Sequence, residues 1–502
     1  MTLRDLTTRL ARVTIAGSLE LEIAALTASS REVGPGMMFA AIRGTSTDGH
    51  RFIPDVIAAG VAAILAETAP PADLPPAITW LQVPDTRAAL AALASAMTGQ
   101  PWRDLVLVGV TGTNGKTTTA FLLHHLMKAV WHRAGLLGTI LVDDGETLEP
   151  ARHTTPGPLE VCALLARMRE HGCRGVAMEV SSHGIHQQRV AALGFDACVF
   201  TNLTQDHLDY HGTLEAYFQA KAEWFHALAA EPRGKRPVAV INTDDACGAA
   251  LARALHNKLP VLRYGFAVPC NFRANNLRQN ARGMEFELSA KGKSYLVRAP
   301  LIGRFNVYNL LAALAAASAC GIRLRDAVAA LATVPQVPGR MEIVGHAGGA
   351  TVFVDYAHTP DALENACRTL RELNPRRLIT VFGCGGDRDR GKRPLMAAAA
   401  ARHSDACIIT SDNPRSEDPL AIIREIETGI GGTHFLSIPD RAAAIESAVQ
   451  ASLSGDLILI AGKGHETTQQ FAHHSIDFDD RKHAGKALRA RAQAITDQRC
   501  NL

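Results

Sequence analysis

None of the ten cysteines in this 502-residue sequence (Cys162, Cys173, Cys198, Cys247, Cys270, Cys320, Cys367, Cys384, Cys407 and Cys500) falls in a Cys-x-x-Cys pair. That absence excludes a zinc knuckle and a disulfide framework, and the thiols read as reduced and incidental. No apolar run approaches the roughly 18 residues of a membrane-spanning helix. The opening MTLRDLTTRLARVTIAG is broken by polar residues too early to form the apolar core of a signal peptide. The expectation is a cytoplasmic chain with no membrane partner. Basic residues number 52 and acidic residues 49, giving a net charge of +3 with the two signs interspersed. Without a basic stripe there is no case for nucleic acid, and small anions are the expected partners. There is no internal repeat or low-complexity tail.

What remains is an ordinary globular composition, 47% apolar and 20% charged, on a chain long enough for several domains. The predicted architecture is α/β with three domains. Residues 1–99 form a small α/β domain, with strands near Met38–Ile42, Ala63–Leu65 and Thr79–Val83 and a proline-rich stretch at Pro70–Pro76. Residues 100–335 alternate strand and helix, with apolar runs at Leu105–Val110, Gly175–Val180, Ala197–Thr201 and Val238–Asn242 that each end in polar residues. This pattern predicts a parallel sheet of the P-loop ATPase type, with its site at the carboxyl ends of the strands. The segment VPQVPGR (Val334–Arg340) marks a boundary. Residues 336–502 then read as a doubly wound, Rossmann-like unit with strands at Thr351–Asp355, Leu378–Phe382, Ala406–Thr410 and Leu457–Ala461. Alanine-rich stretches at Leu310–Ala317 and Met396–Arg402 favour helix.

The segment LVLVGVTGTNGKTTT (Leu105–Thr119) carries the strongest signal. An apolar strand feeds a glycine turn that ends in Gly-Lys-Thr and opens a helix. Gly112 and Gly115 let the backbone approach phosphate oxygens, and the helix directs its free N–H groups at the same anion. Lys116 adds charge beside the β- and γ-phosphates, and the Thr117 hydroxyl suits Mg2+. Val110 stands where the strict G-x-x-x-x-G-K-[ST] pattern has glycine, so the match is to the shorter G-T-N-G-K-T form. The strand that follows delivers Glu179, Ser181, Ser182 and His183. The next delivers Thr201, Asn202, Asp206, His207, Asp209 and His211. Carboxylates and imidazoles gathered at neighbouring strand ends beside a nucleotide suit a Mg2+ or acid/base site.

Eight segments in order carry a family resemblance: GTNGKTTT (112–119), EVSSHG (179–184), TNLTQDHLDYHG (201–212), GRFNVYN (303–309), PGRME (338–342), DYAHTPDAL (355–363), GCGGDRDRGKRP (383–394) and AGKGHE (461–466). Together they resemble the Mur ligases over nearly the whole chain, and within them the branch that adds the third residue of the peptidoglycan stem peptide. The resemblance implies ATP and Mg2+ as cofactors and two small-molecule substrates, UDP-N-acetylmuramoyl-L-alanyl-D-glutamate and meso-diaminopimelate. A monomer is the default.

By the same resemblance, Gly112, Thr113, Asn114, Gly115, Lys116, Thr117 and Thr118 hold the phosphates. Asn306 contacts the base, Arg340 reaches the γ-phosphate, and Asp355, supported by His358, joins the nucleotide network. Thr117, Glu179, His207 and Lys221 are implied as the metal set, with Lys116, Lys221, His207 and Arg340 as the catalytic group. Lys221, in YFQAK, falls where the family carries a carbamylated lysine; on its own it reads as a surface lysine of a helix. Ser30, beside Arg31, together with Thr45, Ser46 and Thr47 resembles the uridine-binding part of the first domain, although Ser29 stands where the family often has Asp. Thr154, Thr155, Ser181, Gln187 and Arg189 resemble the residues that hold the muramoyl peptide.

The segment Ser411–Arg415 bears on the acceptor amino acid. The distal end of meso-diaminopimelate carries an ammonium and a carboxylate. The fork of Arg415 can grip that carboxylate, while Asp412, Asn413 and Pro414 complete a polar loop. L-lysine lacks the carboxylate and would leave the Arg unpaired. Arg388, Gly462 and Glu466 match the remaining acceptor contacts of the family, with Glu466 suited to the ammonium. Two other readings stay open at this point: another ligase of the superfamily, such as a folylpolyglutamate synthetase or a lysine-adding homologue, and a nucleotide-dependent binding or regulatory protein without turnover.

Overall fold

A computed structural model describes residues 1–44, 47–432 and 434–500, with side chains described to residue 497. The chain divides into two compact units. One comprises 1–273, 289–293 and 308–327, and the other 274–288, 294–307 and 328–502.

The first unit opens with a five-stranded sheet in the spatial order Thr14–Ala16, Thr79–Gln82, Ala63–Ala66, Met37–Ala40, Ala25–Thr27. Only the pairing of Thr14–Ala16 with Thr79–Gln82 is antiparallel. The helix Thr86–Met97 starts where the Asp85 carboxylate accepts from the N–H groups of Arg87 and Ala88. It packs Ala89, Leu90, Leu93 and Ala96 against Leu6, Met38, Leu65 and Leu81.

Downstream, the strands Ala134–Leu137, Gly175–Glu179, Val106–Thr111, Ala197–Phe200, Val238–Asn242 and Val261–Gly265 lie side by side and all run parallel. Except in the run Val261–Gly265, these short runs of β-branched and apolar residues are almost wholly buried, as in a parallel sheet covered on both faces. The central strand is the one that feeds the glycine turn, flanked by the strands that end in Glu179 and Phe200. The strand order therefore brings the three most polar strand ends together.

The sequence-based picture of strictly alternating strands and helices needs correction here. Leu141–Asp143 and Leu148–Pro150 extend the sheet by antiparallel pairing. Phe272–Asn280, Gly283–Ala290 and Lys293–Ala299 form three more strands with no helix between them. Alternation of buried and exposed residues along Gly283–Ala290 is the signature of a half-exposed strand, and it replaces the continuous apolar run of a parallel one.

In the second unit the strand order is Glu342–Ala347, Ala350–Asp355, Leu457–Ala461, Leu378–Phe382, Ala406–Ile409, His434–Ser437. All pairings are parallel except the first, an antiparallel edge strand that the sequence reading lacked. Apolar clusters fill both faces, one around Phe353, Leu363, Phe382, Met396 and Ile409, the other around Val352, Ile379, Ile445, Ile460 and Leu488. The carboxyl ends of this sheet carry Asp355 and the loops that begin at Gly383, Thr410 and Gly462.

Candidate active site

The glycine turn of the first unit is shaped by two positive-φ residues, Gly112 at +145° and Gly115 at +85°. A Cβ on Gly112 would stand 1.9 Å from Thr201 Oγ1, and one on Gly115 would stand 2.4 Å from Asn309 Oδ1. Only glycine fits either position, and the bare backbone that results can lie against an anion. The loop is braced from the neighbouring strand end. Asn114 N–H donates to Asn202 Oδ1 at 2.9 Å, and the Thr201 hydroxyl donates to the Asn114 carbonyl at 2.6 Å. Thr113 Oγ1 donates to the Thr204 carbonyl and lies 3.3 Å from the Tyr217 hydroxyl. The helix Lys116–Trp131 follows at once, with Thr117 and Thr118 buried in its first turn.

Two lysines converge on this loop. Lys116 Nζ donates to the carbonyls of Gly112 and Thr113, both at 2.8 Å, and Lys221 Nζ donates to the Gly112 carbonyl at 3.1 Å. Lys221 lies on the helix Leu214–Ala230, started by the Thr213 side chain. Tyr217, Trp224, Phe225 and Leu228 share its buried face at helical spacing. The structure thereby rejects the surface-lysine reading: the side chain is 1% exposed. Burial, reinforced by the neighbouring Lys116 charge, holds the Lys221 amine far below the usual lysine range.

Glu179 is completely buried at its strand end. Its Oε2 accepts from the hydroxyls of Thr117 and Thr139, both at 3.0 Å, and its Oε1 accepts from Thr139 N–H at 2.7 Å. Thr117 and Glu179, two of the four residues implied for the metal, thus meet. His207 sits in a left-handed conformation with φ of 53°, 3.5 Å from the Asp206 carboxylate. It belongs to a ring cluster with His183, at 4.9 Å between centroids, and Tyr217, at 6.0 Å. Burial pulls the His207 imidazole toward its neutral form, with the Lys116 and Lys221 charges acting in the same direction and Asp206 against it. Among the described residues no group of three or more His, Cys, Asp or Glu is arranged to hold a metal. A Mg2+ ion that takes most of its ligands from phosphates and water needs fewer protein groups, and the Thr117–Glu179 pair beside the anion loop meets that requirement.

The muramoyl-peptide candidates form one network. Thr155 Oγ1 donates to the Glu179 carbonyl at 2.9 Å and accepts from Ser181 N–H at 2.9 Å. Arg189 donates to the Thr155 carbonyl at 2.6 Å and to Gln187 Oε1 at 2.8 Å, and Thr154 contacts Thr139 at 3.0 Å. Gln187 and Arg189 line a cleft of about 510 Å3 together with Ile42, Gly44, Arg87 and His153. Arg87 and His153 are additions to the sequence reading, since an isolated Arg and His carry no motif. Ser30 lies in the turn after Ala25–Thr27, and Thr47 is exposed, its carbonyl accepting from Gly44 N–H at 2.9 Å. Thr45 and Ser46 lie outside the described residues.

In the second unit Arg340 stacks on the Tyr356 ring at 4.9 Å, and its Nε is buried without a hydrogen-bond partner. Such an orphaned donor fits an incoming anion. Asp355 Oδ2 accepts from Met341 N–H at 2.6 Å, and burial raises its carboxyl, opposed by the Arg340 charge. Asn306 is buried, with Nδ2 donating to the Ile302 carbonyl at 2.8 Å. His358 Nδ1 lies 2.9 Å from the Tyr356 carbonyl.

The acceptor candidates occupy adjoining loops of the same unit. Arg415, at φ of 52°, donates to the Gly386 carbonyl at 2.7 Å, and Arg388 is exposed, donating to the Asp387 carbonyl at 3.1 Å. Gly462, at φ of +116°, lets the loop pass Asp412, whose Oδ2 would be 2.6 Å from a Cβ there. Pro414 is buried in the turn that follows, and Asn413 Nδ2 donates to Glu466 Oε2 at 2.9 Å. Beneath these loops lies Arg441, fully buried and paired through Nε and Nη2 with Asp480 at 2.7 Å for both bonds. The same guanidinium donates to the carbonyls of Ser411, at 3.3 Å, and Ala461, at 2.9 Å, so one side chain ties the two candidate acceptor loops together. Sequence reasoning missed Arg441 and Lys463. The second stood in plain view inside AGKGHE.

Three family models match consecutive parts of the chain: Mur ligase family, catalytic domain, over residues 22–98; Mur ligase middle domain over 110–317; and Mur ligase, glutamate ligase domain, over 339–464. A protein of Geobacillus kaustophilus (strain HTA426) named UDP-N-acetylmuramoyl-L-alanyl-D-glutamate--2,6-diaminopimelate ligase is 45% identical over 474 residues, covering 94% of this chain and 96% of that one. A protein of Geobacter sulfurreducens with the same name is 42% identical and covers 98% and 99%. A solved structure of a ligase of that name superposes with a TM-score of 0.73 at 32% identity, covering 98% of this chain and 99% of that one.

Proposed function

The chain belongs to the Mur ligase family, and we propose that it joins meso-diaminopimelate to the D-glutamyl γ-carboxylate of UDP-N-acetylmuramoyl-L-alanyl-D-glutamate with hydrolysis of ATP to ADP and phosphate. It is thus an amide-forming ligase of peptidoglycan precursor synthesis, acting as a cytoplasmic monomer. Similarity to relatives of that name along nearly the whole chain carries the reading. Within it, residues 1–99 serve the UDP-sugar, 100–335 the ATP chemistry and 336–502 the amino-acid acceptor.

Carboxylate oxygen is a poor leaving group, so the γ-carboxylate is first activated. Its oxygen attacks the γ-phosphorus of ATP, the bond to the β-bridging oxygen breaks, and ADP leaves an acyl phosphate behind. The unprotonated amine of diaminopimelate then attacks the acyl carbon, its nitrogen gives up a proton, and the tetrahedral intermediate expels inorganic phosphate as the amide forms. Protein groups act mainly by position and charge. The loop Gly112–Thr118 supplies N–H groups to the phosphates. Lys116 exchanges its loop carbonyls for phosphate oxygens, and Arg340 offers its unpaired Nε to a phosphoryl oxygen. Asn306 and Asp355 are assigned to the nucleotide as well. Mg2+, held through Thr117, Glu179, His207 and Lys221, would neutralise charge on the triphosphate.

Lys221 fits that set after carbamylation. Its depressed amine attacks CO2, loses a proton and becomes an anionic carbamate; an ammonium there would repel the cation. Thr154, Thr155, Ser181, Gln187 and Arg189 bind the muramoyl peptide, with Ser30, Thr45, Ser46 and Thr47 toward the uridine. Arg415 and Arg388 take the acceptor's carboxylates and Glu466 its distal ammonium, with Asp412 and Asn413 as complementary polar groups, along the loops of Pro414 and Gly462. In the test, acceptor-dependent ADP formation is followed in the wild type and in Lys116→Ala. The reading expects loss of turnover in the variant, and near-normal coupled turnover would contradict it.

A further inference from the structure

Lys463 is fully buried, although its side chain ends in an ammonium. Its Nζ donates to Asn413 Oδ1 at 2.9 Å and to Glu466 Oε2 at 3.1 Å. Asn413 Nδ2 donates to the same Glu466 oxygen at 2.9 Å, and Asn413 Oδ1 also accepts from Gln470 N–H at 3.0 Å. Three side chains from two loops therefore close on one another, and both donors fall on Oε2. No donor among the described residues is recorded on Oε1 of Glu466.

Burying an ammonium costs several kcal/mol unless charge and hydrogen bonds compensate it. Here one carboxylate and one amide oxygen do so, which makes the arrangement stiff: moving Glu466 or Asn413 would strand the Lys463 charge. We propose that Lys463 is a positioning residue of the acceptor site, locking Glu466 and Asn413 so that Oε1 is left for the distal ammonium of the acceptor. The inference rests on the acceptor assignment of Glu466 and Asn413 made above. It adds that their geometry is set by a buried cation that itself touches no substrate. Lys463 also satisfies one oxygen of Glu466 in advance, so the carboxylate enters the site already oriented.

The experiment uses the full chain and steady-state kinetics for all three substrates in wild type, Lys463→Met, Glu466→Gln and the double variant. Methionine keeps an unbranched side chain, one atom shorter, and tolerates burial. The expected result is a rise of at least tenfold in KM for meso-diaminopimelate in Lys463→Met, with KM for ATP and for the UDP-sugar within twofold of wild type. The double variant should be little worse than Glu466→Gln alone, because Lys463 acts through Glu466. If Lys463→Met does not fold, Lys463→Gln is read in the same way. A KM for diaminopimelate within twofold of wild type, equal rises for all three substrates, or additive effects in the double variant would each overturn the inference. Absence of diaminopimelate-dependent turnover in the wild type would instead overturn the acceptor assignment on which it rests.

Discussion

Lys116 and Lys221 hydrogen-bond the same oxygen, the carbonyl of Gly112, at 2.8 and 3.1 Å. Two ammonium groups on one acceptor repel each other, and the more deeply buried of the two gives way. Burial, reinforced by the Lys116 charge, lowers the Lys221 amine well below the usual lysine range and so favours the unprotonated form that carbamate formation requires. Wild-type protein equilibrated with 13C-bicarbonate should show a carbamate carbon resonance that Lys221→Met lacks, and that variant should lose about 100-fold or more of its turnover. A wild type that is fully active while free of carbamate would refute the modification.

The glycine turn gives a second prediction. Gly115→Ala forces a Cβ to within 2.4 Å of Asn309 Oδ1 at a φ of +85°. Strain of roughly 1–3 kcal/mol is expected, together with at least a tenfold loss of ATP affinity, measured by calorimetric titration. The loops at Ser411 and Gly462 belong to the other compact unit, and their intrinsic stability should be unchanged.

His465 gives the pH dependence. Burial, aided by the Arg340 and Arg481 charges, lowers its imidazole from 6.5 to about 4. The unfolded chain takes up this proton as pH falls through 6.5, whereas the folded chain holds out to about 4. The stability contributed is complete above pH 6.5 and is lost between 6.5 and 4, on the order of 3 kcal/mol in full. Denaturant melts across this range should show a shallower loss for His465→Gln than for the wild type.

The Arg441–Asp480 pair is buried on both sides. Asp480→Ala leaves an uncompensated buried guanidinium and should cost about 3–5 kcal/mol by urea denaturation. It should also loosen the Ser411 and Ala461 carbonyls that Arg441 holds.

The strands proved legible because a parallel sheet buried on both faces demands short continuous apolar runs, and those runs stand out at Gly175, Val238, Leu378 and Leu457. The glycine turn that opens the helix Lys116–Trp131 was legible because its glycine, lysine and threonine residues follow one another in the chain. The strands around Gly283 were not, since they alternate polar and apolar residues where continuous apolar runs were being sought. Arg87 and His153 reach their cleft from distant segments, and Arg441 acts through carbonyls that any residue would supply, so neither leaves a local signal. Lys221 lay between these cases: its spacing from Tyr217, Phe225 and Leu228 marks the buried face of its helix, but a lysine there is ordinarily read as exposed.

Acceptor choice turns on Arg415. Phosphate release is measured with ATP, Mg2+ and UDP-N-acetylmuramoyl-L-alanyl-D-glutamate, comparing meso-diaminopimelate with L-lysine on the wild type and on Arg415→Ala. Release is expected with diaminopimelate and little with lysine, together with a drop of roughly 100-fold in kcat/KM for diaminopimelate in the variant, as for a lost bidentate charge pair. Equal release with lysine, or an Arg415→Ala enzyme as active as the wild type, would contradict that role for Arg415.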